Sequence, residues 1–472
     1  WINEYFDASK SNDKKVIRTV NKFTNITIMK NLYKILICLM FLTCSSSDEN
    51  DTNEIIDLPA NISANLSSLS FDNTMVSQFS VPKVLIINAE NTTSEITVVV
   101  PDGYEVSIDN NFSNSVSFQP EISNEIYIRF IPLEAINYYS TMQISSNEVD
   151  SDINVNLFGI GTPLIHTYQA FSNQELGYGG GFNQSAVQLF DLHDDISNIE
   201  QIKMFLQIDC PSTGCDDWDR FANITVKDQA SGNWFEIGRY ITPYWVGTQQ
   251  LERGLEFDVT DFKSFLTGST ELRIYIENWT TKADIISVEF DYVVGTPDYP
   301  YYAVSEILGF HSNSISGVPY GVSHSLDLNK SIQIPANSES SSFRTIISGW
   351  GHATPYDSDG RPCAEWCYRT HDILIDSSPM FQHYLSPIGC SANPVNNQSP
   401  GNWQPDRAGW CPGMAVPVRS NALDINSSGS TLTFEYDFED WVSDGNGGNA
   451  FYAISSYIIV KSNSEISPAI IN

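Results

Sequence analysis

The sequence has little positive charge and no long apolar run. Its 472 residues carry 24 Lys and Arg against 57 Asp and Glu, a formal net charge of −33. Affinity for a phosphate backbone depends on neutralising cations, so this balance excludes a nucleic-acid partner. No stretch of 18 apolar residues occurs, so no spanning helix is expected. The nucleophile and metal signatures G-x-S-x-G and H-E-x-x-H are missing, and the seven histidines are scattered. Helical periodicity is almost absent from the later two thirds of the chain.

What is present suits compact domains. Hydrophobic residues make up 41% and aromatics 12%, and the chain is too long for one core, so two to four domains are expected. The segment "MKNLYKILICLMFLTCSSSDEN" (29–50) places Lys30 and Lys34 before a short apolar run and then Cys44. That is the layout of an export signal, and the cysteine directly after the run fits a bacterial lipoprotein signal cleaved before a lipidated Cys44. The expectation is an exported protein held at the cell surface, or otherwise periplasmic or secreted, touching a membrane only through that lipid. Residues 1–28 read as an extension upstream of a start at Met29, and 45–65 as a polar tether.

Export bears on the other six cysteines: 210, 215, 363, 367, 390 and 411. An even number in an oxidising compartment reads as three disulfides, while the C-x4-C and C-x3-C spacings also fit a four-cysteine zinc site. Cys210–Cys215, Cys363–Cys367 and Cys390–Cys411 is one pairing among fifteen.

From 66 to 164 short β-rich runs recur between Asn, Asp, Pro and Ser clusters, with clear alternation in "EIYIRF". This predicts a β-sandwich of immunoglobulin-like type, read as a spacer or docking module. "GYGGGF" (177–182) lacks the strand–helix context of a phosphate loop and reads as a turn. Strand-like runs continue to 470, and the proline- and tyrosine-rich "GTPDYPYY" (295–302) divides them into 165–296 and 303–470. Two further all-β domains follow, as sandwiches or jelly rolls.

Acids stand beside Trp and Arg in four places: "CDDWDR" (215–220), "IENWTTK" (276–282), "CAEWCYRTH" (363–371) and "PDRAGWC" (405–411). A tryptophan beside a carboxylate can desolvate the acid and can also offer a flat apolar face to a sugar ring. Arginine can hold an acid ionised or grip a polar ligand. On residue chemistry alone these stretches fit either strand-edge packing or a carbohydrate site, and such a site would suit glycoside or amide hydrolysis equally.

"TGCDDWDRFANITVKDQASGNWFEIGRYITPYWVG", "CAEWCYRTH" and "CSANPVNNQSPGNWQPDRAGWCPGMAVP" resemble the peptide-N-glycosidase F family of bacterial N-glycan amidases. The resemblance runs from about 165 to 470. It implies two adjacent antiparallel jelly rolls with a site in the cleft between them, and hydrolysis of the amide joining asparagine to the innermost GlcNAc. It implies Asp219 as main catalytic acid, Glu365 as second and Glu277 as third, with Arg220 and Arg407 as substrate-contacting arginines. A nearby Arg220 is expected to favour the ionised form of Asp219. It also implies Trp279, Trp350, Trp366 and Trp410 as cleft-lining tryptophans, and the disulfide pairing given above. The expected partners are N-glycoproteins and glycopeptides, with no cofactor or metal, and a monomer. A non-catalytic glycan-binding protein and an endoglycosidase remain as alternatives, since jelly rolls also host lectins.

Overall fold

The computed structural model describes residues 58–121, 123–311, 317–399 and 401–472. The signal-like segment with Cys44, and the tether up to residue 57, lie outside the described residues.

The first described body is a sandwich of two sheets. Asn61–Ala64, Lys83–Glu90, Ser123–Phe130 and Tyr104–Ser107 form one sheet in that order. The other is built around Asn137–Ser146 and Ile153–Thr162. The alternation in "EIYIRF" acts as expected: Ile126, Ile128 and Phe130 point into the core with Leu85, Ile87 and Met142. The sandwich begins earlier than expected. Asn61–Ala64, placed in the tether by composition, pairs antiparallel with Ile87–Glu90 and buries Ile62. Four residues carry too little alternation to announce a strand.

Residues 165–294 form the next pair of sheets. One runs Ile165–Gln169, Asp284–Val294, Ile199–Asp209, Leu255–Asp258, and the other Ser185–Asp191, Ser269–Ile276, Phe221–Lys227, Trp234–Ile241. Every pairing in both is antiparallel. Residues 301–471 repeat the arrangement around Ser340–Trp350 and Phe451–Ser462 in one sheet and Thr370–Ile375 and Thr431–Asp437 in the other. These are the two jelly rolls, and both contribute to one continuous core: Val304, Tyr457 and Ile459 pack with Met204, Ile237 and Phe290.

The rolls are also joined by backbone. Gly413 N–H donates to Ile241 O, Ile241 N–H to Met414 O and Val416 N–H to Arg239 O, at 2.8–3.1 Å. A segment of the second roll thus lies along Trp234–Ile241, an edge strand of the first. This brings the loop before Phe221 and the loops at 363–367 and 405–411 to one end of the molecule.

Candidate active site

Asp219 sits just ahead of the strand Phe221–Lys227, in a loop held by one buried threonine. Thr242 Oγ1 donates to Trp218 O and accepts from the Arg220 N–H, and its own N–H donates to Arg220 O. Glu365 lies inside the Cys363–Cys367 ring, and both of its backbone groups are engaged: its N–H donates to Gly351 O at 3.0 Å and its carbonyl accepts from Ala408 N–H at 2.7 Å. The second contact ties it to the loop carrying Arg407. That loop is fixed in turn by Asp406, whose Oδ1 accepts from the N–H groups of Ile388, Gly389 and Cys390.

Arg407 joins the two acids across the rolls. Only 1% of its side chain is exposed, with Nη2 3.3 Å from Asp219 Oδ2 and Nε 3.8 Å from Glu365 Oε1. The same Nη2 donates to Tyr244 Oη at 3.0 Å, and Nη1 to Pro405 O at 2.7 Å. Tyr244 is placed by Gln398, whose Oε1 accepts from the Tyr244 N–H, and by Gly401. A Cβ on Gly401 would lie 2.0 Å from Tyr244 Cγ, so only glycine permits this approach.

Burial raises the Asp219 carboxyl to about 6; Arg407 opposes this, while neighbouring Glu365 adds to it. A carboxylate titrating there is ionised at neutral pH yet basic enough to accept a proton, as a general base requires. His352 Nε2 lies 3.1 Å from Glu365 Oε2, and that hydrogen bond raises the imidazole's pKa. Trp366 Nε1 also reaches this nitrogen, at 3.0 Å. Nε2 can serve only one of them at a time, and the raised pKa favours Nε2–H donating to the carboxylate.

Glu277 follows the strand Ser269–Ile276, its N–H bonded to Phe221 O, and its Oε1 accepts from Trp279 Nε1 at 3.4 Å. Glu277 is thus tied to Phe221, two residues after Asp219, Trp350 meets the Phe221 ring with centroids 6.1 Å apart, and the Arg407 guanidinium lies 4.5 Å over the Trp366 ring. All six cysteines pair as Cys210–Cys215, Cys363–Cys367 and Cys390–Cys411, which sets aside the zinc reading of these spacings.

Two expectations are corrected. Arg220 is not the cation beside Asp219: its Nε donates to the buried carboxylate of Asp216, and Arg407 takes that place. Adjacency in sequence misled, because in this loop the Arg220 side chain turns to Asp216 instead. Trp410 is 1% exposed and presents no face to a ligand. It stacks on Trp350 with ring centroids 4.4 Å apart, donates to Gly349 O, and lies 5.2 Å from the Arg407 guanidinium, which it supports from behind. Tyr244 and His352 escaped sequence reasoning, because neither stands beside an acid in the chain. A cavity of about 740 Å³ lined by Asp258, Asp261, Arg344 and Lys461 lies elsewhere between the rolls and includes none of the three acids.

Residues 321–459 match the family model described as peptide-N-glycosidase F, C terminal. The chain is 54% identical over 310 residues, covering 66% of its own length and 87% of the relative's, to peptide-N(4)-(N-acetyl-beta-D-glucosaminyl)asparagine amidase F of Elizabethkingia miricola. The solved structure of PNGase F, a glycosylasparaginase from Flavobacterium meningosepticum, superposes with a TM-score of 0.65 at 54% identity, covering 66% of this chain and 99% of that one. A structure of PNGF-II covers 79% of this chain and 99% of its own with a TM-score of 0.50 at 11% identity, a likeness of fold alone. The chain belongs to the peptide-N-glycosidase F family.

Proposed function

We propose that the protein hydrolyses the amide between asparagine and the innermost GlcNAc of N-glycoproteins and glycopeptides, leaving aspartate and releasing the whole glycan. The observation that carries this reading is Arg407, buried between Asp219 of one roll and Glu365 of the other. Kinship with an asparagine amidase of 54% identity supports the same bond.

Asp219 takes a proton from water as the water oxygen attacks the side-chain carbonyl carbon. Negative charge then gathers on the carbonyl oxygen. Arg407 is the nearby cation, and its buried Nε has no hydrogen-bond partner among the described residues, so a donor is available for that charge. Glu365, set between Arg407 and His352, binds the reacting amide and assists proton transfer to nitrogen. The C–N bond breaks, and the released glycosylamine loses ammonia to water to give the free glycan. Glu277 hydrogen-bonds sugar hydroxyls, while Trp279, Trp350 and Trp366 offer apolar faces to the chitobiose core. The apolar run and Cys44 at 29–44 support export with lipid attachment, and the polar stretch after it would hold the catalytic rolls away from the membrane.

The test is a digest of a denatured N-glycoprotein in 18O-water, read by mass spectrometry. Aspartate carrying heavy oxygen at the former glycan site is the expected result. Asparagine bearing one GlcNAc would mean a glycosidase, and intact glycopeptide that still binds would mean a lectin.

A further inference from the structure

The glycine-rich turn singled out in the sequence lies beside the site. Tyr178, its second residue, is 51% exposed and packs edge-on against Trp279, itself 47% exposed, with ring centroids 5.0 Å apart and planes at 60°. Trp279 in turn donates to Glu277. The tyrosine is therefore one ring removed from a tryptophan that contacts a proposed site acid.

The turn is built to hold that ring in place. Gly179, Gly180 and Gly181 have φ of +70°, +62° and +101°, a left-handed run that side chains would strain. A Cβ on Gly180 would lie 3.3 Å from Thr281 Cγ2, so the turn closes onto the segment following Trp279. Tyr178 N–H donates to Thr280 O at 2.8 Å, and Phe182 N–H to Gly179 O at 3.0 Å. The Trp279 turn is fixed just as firmly: buried Asn278 accepts from Thr280 N–H through Oδ1 and donates to Lys282 O through Nδ2. Two half-exposed aromatic rings on separate, pinned turns meet edge to face and form one angled apolar surface.

We propose that Tyr178 is a specificity-determining residue that stacks on a sugar ring of the N-glycan beyond the innermost GlcNAc, extending the Trp279 wall outward. The glycan is the occupant because the wall continues from an acid assigned to sugar hydroxyls, and two aromatic faces with a phenol hydroxyl at the rim suit the C–H face and hydroxyls of a neutral sugar. This inference rests on the amidase reading above.

The test compares wild type, Tyr178→Ala and Tyr178→Phe in two measurements. One is steady-state release from a glycopeptide bearing a complete oligosaccharide. The other is calorimetric binding of the free released oligosaccharide, which needs no turnover. For Tyr178→Ala, KM and the oligosaccharide Kd should both rise about three- to tenfold, with kcat within about twofold of wild type. Tyr178→Phe, which keeps the ring, should stay within about twofold in all three. An unchanged oligosaccharide Kd in Tyr178→Ala, with or without a raised KM, would overturn the proposal, as would equal losses in Ala and Phe. Failure of the wild type to release glycan would overturn the amidase reading instead, and the calorimetric comparison would still decide whether Tyr178 meets sugar.

Discussion

At the residue scale the site depends on an acid held against its own preference for solvent. Burial lifts Asp219 to about 6, so kcat/KM should fall about tenfold per pH unit on the acid side of about pH 6, which a pH–rate profile would show. The same shift predicts a conflict between activity and stability. The folded chain keeps this proton up to about pH 6, whereas an unfolded aspartate loses it near 3.8. As pH rises through that window the unfolded state ionises first, so the folded state loses stability and does not regain it above pH 6. Moving from 3.8 to about 6 corresponds to about 3 kcal/mol, a net figure in which the attraction to Arg407 is already included. Asp219→Asn should therefore be inactive yet melt above wild type at pH 8, with the difference gone at pH 4. A variant that melts lower at pH 8 would mean that Arg407 holds the carboxylate more strongly than burial opposes it.

At the scale of elements, the Cys363–Cys367 ring and the 405–411 loop share one task, since the backbone carbonyl of Glu365 bonds to the residue after Arg407. Closing so short a ring removes little unfolded-state entropy, about 2 kcal/mol, against about 3 kcal/mol for the 21-residue separation of Cys390–Cys411. Function should rank them the other way. Cys363→Ser with Cys367→Ser should lower kcat at least about tenfold, because Glu365 loses its aim. Cys390→Ser with Cys411→Ser should cost more in chemical denaturation than the first pair does. The β class and the strands with clear alternation were legible, because period two with turn residues between runs is a local signal. The cysteine pairs were legible through long motifs, the same motifs on which the three proposed acids rest. Arg407 as partner of Asp219 and of Tyr244 was not, because the loop carrying Arg407 belongs to the second roll and meets those of the first only when the rolls are brought together. Trp410 looked like its neighbours in sequence, and only packing shows that it lies behind the site rather than in it.

At the scale of the whole molecule, the site exists only while the two rolls keep their register, and a pair of buried arginines holds that register from opposite sides. Arg239 of the first roll reaches into the second, donating to Ser348 Oγ at 3.0 Å and Ala453 O at 2.7 Å, while its charge is balanced by Glu236 at 2.7 Å. Arg344 of the second roll reaches back to Asp261 at 3.0 Å and to Asp258 O at 2.9 Å. Glu236 is fully buried, its N–H donating to Tyr457 Oη and its carboxylate accepting from Ser455. Such a pair need not stabilise the fold relative to apolar residues, but removing one member leaves an uncompensated charge. Arg239→Met should therefore cost about 3–5 kcal/mol, and adding Glu236→Gln should recover much of that loss, as denaturant titrations would measure. Activity should separate register from stability. Assayed well below its melting temperature, where it is fully folded, Arg239→Met should still lose kcat, because Asp219 and Glu365 are carried by different rolls and only the interface sets the distance that Arg407 bridges. An Arg239→Met protein with full kcat under those conditions would place control of the register with the 413–416 backbone pairing and Arg344 instead.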